Sequence, residues 1–428
     1  MYSYRTGFAA ATVVLLVGGI AACGSASNSQ PGTPGPAGTA FGSGQSASGT
    51  PVNIYDIGPD PNSPLNPTGG QAGMEAGVKA VNNSGGINGH PIHVTFCSAL
   101  NGTATQAVQC AQSAAQDSSV VGDIGNNSVY DQIDPILLNA GMVVSGYTIG
   151  PGDNTPSNSF PLVAGGFIPQ ASAAAAVATL HAKKVCQAYI DDPGVGGQGA
   201  LINQYVLNPQ HLSLYKNIVL PPTAADLSPQ AAQASGCDAI VITSSAQQSV
   251  QYIEAVRALG NKVALICNTA VSPTVLQAAL GASPANVYDI AWFDRSSAGY
   301  AEYGKEMRAL GYAGTQYDND NSTMAWAALK EFVAIAKSLP TVTRATVLAA
   351  YKKQASVTTM GLTPEINFTV PQSAASGQYP VIRNDTTVLY HYEGSKYVLV
   401  GDPGKPFLPI FQSGNSSLAV TTRPFAAS

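Results

Sequence analysis

Gly85-Gly86-Ile87-Asn88-Gly89-His90-Pro91-Ile92 is the stretch whose reading decides the fold. Three glycines and an asparagine within five residues end whatever helix precedes them, because glycine and asparagine tolerate the left-handed backbone that closes a helix. Upstream, Met74, Val78 and Val81 recur at i, i+4 and i+7, so the spacing predicts a helix over 71–83. Downstream, Ile92 to Phe96 reads as a strand, and before the helix so does Val52 to Ile57. A strand, a helix, a glycine turn and a second strand make a βαβ unit.

Working outward, the alternation continues. Residues 103–117 read as a helix with Ala104, Val108, Ala111 and Ala115 on one side, followed by a strand (119–124), a helix (129–139) and a strand (141–145). The pattern restarts near Pro169 with an Ala-rich helix. Strands are then expected at 185–190, 214–220, 239–243, 263–267 and 287–293. Between them Ser245-Ala246-Gln247-Gln248 reads as a capping box, opening a helix that carries Val250, Ile253, Val256 and Leu259 and closes at Gly260. A further helix is expected over 321–338, with Asp318 and Asp320 as solvated residues of the turn before it, and short strands and hairpins over 364–400. The expected fold class is α/β, with two doubly wound parallel-sheet lobes joined by a hinge.

Composition narrows the function. The 428 residues carry 19 Lys+Arg and 24 Asp+Glu, and charged residues make up 10% against about 25% in an average globular chain. Nucleic-acid partners are excluded, because they require clustered Lys and Arg to displace counterions. With 45% apolar residues, the chain is not a disordered acidic protein either.

The first residues point to a compartment. Gly7 to Ile20 is an uncharged apolar run of 14, too short for a membrane span of about 20 and the right size for the core of a signal peptide. It ends in Ile20-Ala21-Ala22-Cys23-Gly24, and small residues before a cysteine resemble the lipobox of bacterial lipoproteins, which makes Cys23 the expected lipidation site. Gly24 to Thr50 holds no charged residue and is built of tether-forming residues. The expected organisation is therefore a signal peptide (1–22), a flexible tether (23–50, Phe41 included), lobe one (51–168 plus 294–368) and lobe two (169–293 plus 369–428). No later stretch reaches 18 apolar residues.

The ordered set of motifs resembles the type I periplasmic substrate-binding proteins, the leucine/branched-chain amino-acid-binding group of ABC importers. Gly85 to Ile92 is similar to that family's "GGINGRKI" turn, and Val121-Gly122-Asp123-Ile124-Gly125 to its "AVIG" strand. Asp134-Pro135-Ile136-Leu137 with Ala140-Gly141 resembles "PIL…GIP". Asp191-Asp192 with Gly197-Gln198-Gly199 resembles "DDxxYGQG", and Pro364-Glu365-Ile366-Asn367-Phe368 the late "GPISFD" turn. The resemblance spans roughly residues 51–400. It implies a lipid-anchored receptor on the extracytoplasmic face of a bacterial cell membrane. Such a receptor takes a small polar solute, an amino acid or amide-like compound, between its lobes and passes it to an ABC-transporter permease without chemistry or cofactor. The rivals are a ligand sensor of the same fold, and a secreted hydrolase or envelope protein.

In open α/β sheets ligands lie beyond the carboxyl ends of the strands, where helix N-termini offer N–H donors. That rule and the resemblance place solute contacts at Asn126, Asn127 and Ser128, and at Ser145, Gly146, Tyr147 and Thr148, in lobe one. In lobe two they fall on Asp191, Asp192, Ser244, Asn268 and Trp292. Tyr147 is bulkier than the family's alanine, Val195-Gly196 stands where the family has an aromatic, and Pro59-Asp60-Pro61-Asn62 replaces "PLSG". These departures point away from leucine as the solute. Five cysteines follow Cys23. The resemblance implies a Cys97–Cys110 disulfide. A 2-1-3-4-5 strand order in lobe two puts Cys186 and Cys237 at one edge of neighbouring strands, leaving Cys267 free at the ligand end.

Enzyme signatures are missing: the sequence has no G-x-S-x-G, H-E-x-x-H, phosphate-binding G-x-x-x-x-G-K-[ST] or C-x-x-C. Ser213-Leu214-Tyr215-Lys216 matches S-x-x-K inside an expected strand without partner motifs, and His90 and His93 read as surface residues, not metal ligands.

Overall fold

The computed structural model describes residues 40–41, 47–59, 70–99, 104–128, 130–146, 156–191, 198–267, 273–280, 286–370, 379–394 and 396–411. Two twisted sheets organise them. The first is built from β1 (Ala40–Phe41), β2 (Val52–Pro59), α1 (Gly70–Asn83), β3 (Ile92–Ala99), α2 (Ala104–Gln116), β4 (Val120–Asn126), α3 (Asp134–Asn139) and β5 (Val143–Gly146). Its order is β1-β3-β2-β4-β5, with β2 to β5 parallel and β1 antiparallel at the edge.

The second sheet follows α4 (Ile168–Ala178). It takes in β6 (Val185–Ile190), α5 (Gln198–Ile202), β7 (Lys216–Leu220), α6 (Ser228–Ala232), β8 (Ala239–Thr243), α7 (Ala246–Ala258), β9 (Ala264–Cys267), α8 (Pro273–Leu280) and β10 (Val287–Ala291). The chain then returns to the first sheet through α9 (Ala298–Ala309), α10 (Asp320–Lys337) and α11 (Arg344–Tyr351). It ends on the second with β11 (Thr386–Tyr392), β12 (Tyr397–Leu399) and β13 (Phe407–Pro409). The parallel strands run β7-β6-β8-β9-β10, the 2-1-3-4-5 order expected, and β11, β12 and β13 extend them antiparallel. Cys97–Cys110 and Cys186–Cys237 are disulfide-bonded with Cα separations of 5.7 and 5.9 Å, as expected, and Cys267 is free. Cys267 is fully enclosed, however, so its place at the carboxyl end of β9 gives it no exposed surface.

The deciding turn does what its composition dictates. Gly85, Gly86, Asn88 and Gly89 all have positive φ, and a Cβ on Gly86 would overlap the carbonyl oxygen of His90. Buried Asn82 exchanges both of its amide hydrogen bonds with the backbone of Ile92, at 2.9 and 2.7 Å, so the end of α1 is clipped to the start of β3.

Four local expectations change. The tether does not stay free through residue 50: β1, which includes Phe41, pairs with Val94 and Thr95. Ala47 is buried, and the amides of Ser48 and Gly49 donate to Gly89 O. The open edge of β3 and the glycine turn offer unpaired backbone groups, and the chain satisfies them. The helix expected from residue 129 starts at Asp134, after a single 3₁₀ turn (Asp131–Ile133), because Pro135 suits only a first turn. Ser245 caps α7 by accepting from Gln248 N at 3.2 Å, but the Gln248 side chain donates to Pro221 O instead of closing the box. Asp320 is not a solvated turn residue. Asn319 is the N-cap of α10, and Asp320 is 2% exposed and ion-paired.

Helix α1 lies against α10 through a glycine face. A Cβ on Gly73 would overlap the Ser322 carbonyl oxygen, and one on Gly77 would come within 2.8 Å of Leu329 Cδ2. Gly73→Ala forces a backbone shift between two helices and is expected to cost about 3 kcal/mol. Gly70→Ala, whose Cβ meets nothing nearer than 3.6 Å, is the control. Urea unfolding of the two variants checks this, and equal midpoints would refute the close approach.

Candidate functional site

Three connections join the sheets, and all lie at one edge. The chain passes the carboxyl end of β5, pairs with that strand once more at Asn158–Phe160 before leaving the first sheet, and leaves the second at the carboxyl end of β10. It re-enters the second through β11, whose Val388 lies beside Ala291. The cleft between the sheets is therefore lined by strand carboxyl ends, where an open α/β sheet offers its helix N-termini and loop amides.

On the first sheet the candidate site is the end of β4 and the two residues after it. Asn126, Asn127 and Ser128 are 5%, 6% and 2% exposed. Asn126 Nδ2 donates to Asp123 Oδ2 at 2.5 Å, and Asn126 Oδ1 accepts from Ser128 N at 2.9 Å. Asn127 N donates to Ile57 O at 3.0 Å, tying the segment to β2. Asn127 Oδ1 is buried and has no protein partner. Its amide lies close to Gly70, the first residue of α1. Below the segment sit two buried acids. Burial, then the neighbouring Asp123 charge, hold the Asp56 carboxyl well above the usual range. Burial lifts Asp123 to about 7, against the pull of its bonds from Asn126 and from Ile57 N at 3.1 Å.

On the second sheet the site is the end of β8 and the start of α7. Ser244 shares a 2.8 Å hydrogen bond with Ser249. Thr243 Oγ1 and Gln248 Oε1 are buried without a protein partner. Each unspent buried acceptor carries a desolvation penalty that a ligand donor relieves.

The remaining expected residues divide. Gly146 ends β5 at φ +148°, where a Cβ would crowd the Asn126 backbone, so this position requires glycine. Ser145 has no exposed surface and its hydroxyl donates to Glu331 Oε2 at 3.3 Å. Trp292 is 1% exposed and packs in the core, with its amide donating to Asp320 Oδ2. Both side chains are enclosed by protein. Asp191 is exposed, with its amide bonded to Leu220 O. Tyr147, Thr148, Asp192, Asn268 and Cys23 lie outside the described residues. Asp56, Asp123, Thr243 and Gln248 were missed. An acid within the apolar run Val120–Ile124 was the available signal for Asp123. The described residues contain no cluster of three metal-ligating side chains, and none of their helices is long and apolar enough to cross a membrane.

Comparison with known proteins agrees with this fold. A family model described as "Periplasmic binding protein" matches residues 61–385. A search of curated proteins finds no match. Among solved structures, a substrate-binding periplasmic protein from Ralstonia solanacearum superposes with a TM-score of 0.65 at 17% identity, covering 82% of this chain and 100% of that one. The branched-chain amino acid transporter substrate-binding protein LivJ from Streptococcus pneumoniae, in complex with isoleucine, gives 0.62 at 15% identity, covering 81% and 98%. A fatty acid ABC transporter substrate-binding protein from Thermomonospora curvata gives 0.64 at 15% identity, covering 83% and 93%.

Proposed function

Since the chain belongs to the periplasmic binding protein family, matched over three quarters of its length, we propose that it is an extracytoplasmic, lipid-anchored receptor that captures a small polar solute and delivers it to an ABC importer. The family binds solutes and is not a family of enzymes. The solute is an amino acid or an amide-like compound, and Cys23 carries the lipid. The two lobes, 51–168 with 294–368 and 169–293 with 369–428, close on the solute about the three crossovers.

One observation supports this solute class above the rest. Asn127 Oδ1 on the first sheet and Thr243 Oγ1 and Gln248 Oε1 on the second are buried, unspent acceptors at strand carboxyl ends. A solute that carries N–H groups satisfies acceptors on both sheets at once, and gains by closing the cleft. An alkyl chain leaves all three unpaired, at about 1–3 kcal/mol each. The α7 N-terminus suits a carboxylate or carbonyl on the same molecule.

The test is thermal melting of the chain from residue 24, which keeps the paired Ala40–Phe41 and the docked residues 47–50. The protein is first unfolded and refolded to strip any co-purified solute. The panel holds amino acids, amides, ureas, polyamines, small aromatic acids and fatty acids. A solute at 100 times its Kd adds about 2.7 kcal/mol, which raises Tm by several degrees. An amino acid or amide hit is expected. A hit from fatty acids alone would refute the solute class, and a flat panel would refute solute capture and favour a sensor or envelope role.

A further inference from the structure

We propose that Asp123 is a positioning residue for the cleft: its carboxylate sets the Asn126–Ser128 segment in its solute-receiving shape, and the proton it takes up releases that segment. The geometry is a relay. Asp123 Oδ1 accepts from Ile57 N and Oδ2 from Asn126 Nδ2. With its amide so oriented, Asn126 turns Oδ1 to Ser128 N, and Ser128 Oγ in turn accepts from Tyr130 N at 3.2 Å. An ionised carboxylate has acceptors on both oxygens and matches both donors. A protonated one keeps a full acceptor on one oxygen only, and its O–H then faces an N–H. If the Asn126 amide rotates to relieve that clash, it presents N–H to Ser128 N–H instead. One proton at Asp123 therefore disturbs the backbone two links away.

The elements packed against β4 carry Asp56 and Tyr55 on β2, Asp320, Lys330, Glu331 and Lys337 on α10, and Tyr351 and Arg344 on α11. Asp320 is paired with Arg295, and Lys330 with Glu302 and Glu306. Arg344 is committed elsewhere, bonded to Val120 O at the opposite end of β4 and to the carbonyls of Ala114 and Ala115. Glu75 accepts from Tyr312 and Gln71, and Glu331 from Ser145. No cation lies against Asp123 among the described residues. Burial lifts it to about 7, and the Asp134 charge adds to the rise.

The inference rests on the solute-binding reading only for what the segment receives, and the experiment separates the two. Hydrogen exchange is followed by mass spectrometry on the full-length chain in detergent, using peptides across residues 121–130, at pH 5.5 and pH 8. Protection is corrected for the intrinsic pH dependence of exchange. Relative to the other sheet-one peptides, which follow global stability, the Asn126–Ser128 segment of wild type is expected to gain about fivefold protection at pH 8, the loss of roughly one hydrogen bond at pH 5.5. Asp123→Asn is expected to show the low value at both pH values, with other sheet-one peptides unchanged. Should that variant fail to fold, Asn126→Ala cuts the relay one link later and is expected to give the same flat profile. An equal pH response in wild type and variants, or protection lost evenly across the sheet, would overturn the proposal.

L-leucine and decanoate are then titrated calorimetrically at both pH values. A leucine affinity that changes several-fold with pH in wild type and stays level in Asp123→Asn supports the relay. The same change in both proteins overturns it. If neither probe binds, the solute class stands, because the departures at Tyr147 and Val195 already point away from leucine, and the exchange result decides the role of Asp123.

Discussion

Raising the pH from 5 to 8 is expected to destabilise this protein. Asp123 keeps its proton in the folded chain to about 7, while an unfolded aspartate releases it near 4. Across that window the folded state binds more protons than the unfolded one, so stability falls as pH rises. The shift corresponds to about 4 kcal/mol at most for this group. Glu331 acts in the same direction: it is buried on α10, burial holds it well above the usual range, and its Oε1 has no protein partner. Asp117, Asp226 and Asp238 act oppositely, held low by hydrogen bonds from Ser119, Ser228 and the amides of Lys183 and Lys184. They lie at the surface, so solvent screening leaves them little weight. Melting curves at pH 5, 6, 7 and 8 are expected to show Tm dropping by several degrees. Glu331→Gln, which still offers Ser145 an acceptor, raises Tm at pH 8 and leaves it level at pH 5. A Tm that climbs from pH 5 to 8 would sink the argument.

Removing Arg295 is the second large loss. Its guanidinium stands on the crossover after β10, 2.6 Å from Asp289 Oδ2 and 3.1 Å from Asp320 Oδ1. The rings of Tyr390 and Tyr397 flank it at 4.8 and 4.7 Å. Asp289 belongs to the second sheet, while Asp320 opens the helix that covers the first. Arg295→Ala leaves two buried carboxylates facing each other without a cation, at a cost of about 3–5 kcal/mol. Neutralising the site as a whole, with Arg295→Met, Asp289→Asn and Asp320→Asn, restores most of that loss, because an asparagine amide at the start of α10 keeps an acceptor for Trp292 N. Chemical denaturation of both variants decides it, and an Arg295→Ala loss below about 1 kcal/mol would refute the ion-pair account.

These two clusters also mark where the sequence stops being legible. The glycine turn, the helix faces and the order of the second sheet follow from short-range rules, since glycine, period and strand alternation act within a dozen residues. Cys186–Cys237 followed once that order was in hand. Arg295, by contrast, gathers partners 6, 25 and 95 residues away, and no periodicity announces them. Ser145 and Ser128 look alike in the sequence, both polar residues near the carboxyl end of a strand. One is turned inward by Glu331, 186 positions later, and the other is held by Asn126, two positions earlier. Phe41, read as tether, is recruited by an open strand edge. Gln248 was legible as a cap residue and not as the donor to Pro221 that leaves its carbonyl free.

The glycine face of α1 has a consequence for how the chain is made. Helix α1 ends at Asn83, yet the helix that covers it begins at Asp320. At about 5–20 residues per second, synthesis leaves that face open for roughly 10 to 50 seconds. The second sheet's parallel strands, by contrast, form one uninterrupted stretch of chain. The amino-terminal half is thus an unfinished surface that waits on its own carboxyl half, and a translocation route that holds the whole polypeptide extended until its end has crossed would spare it that wait.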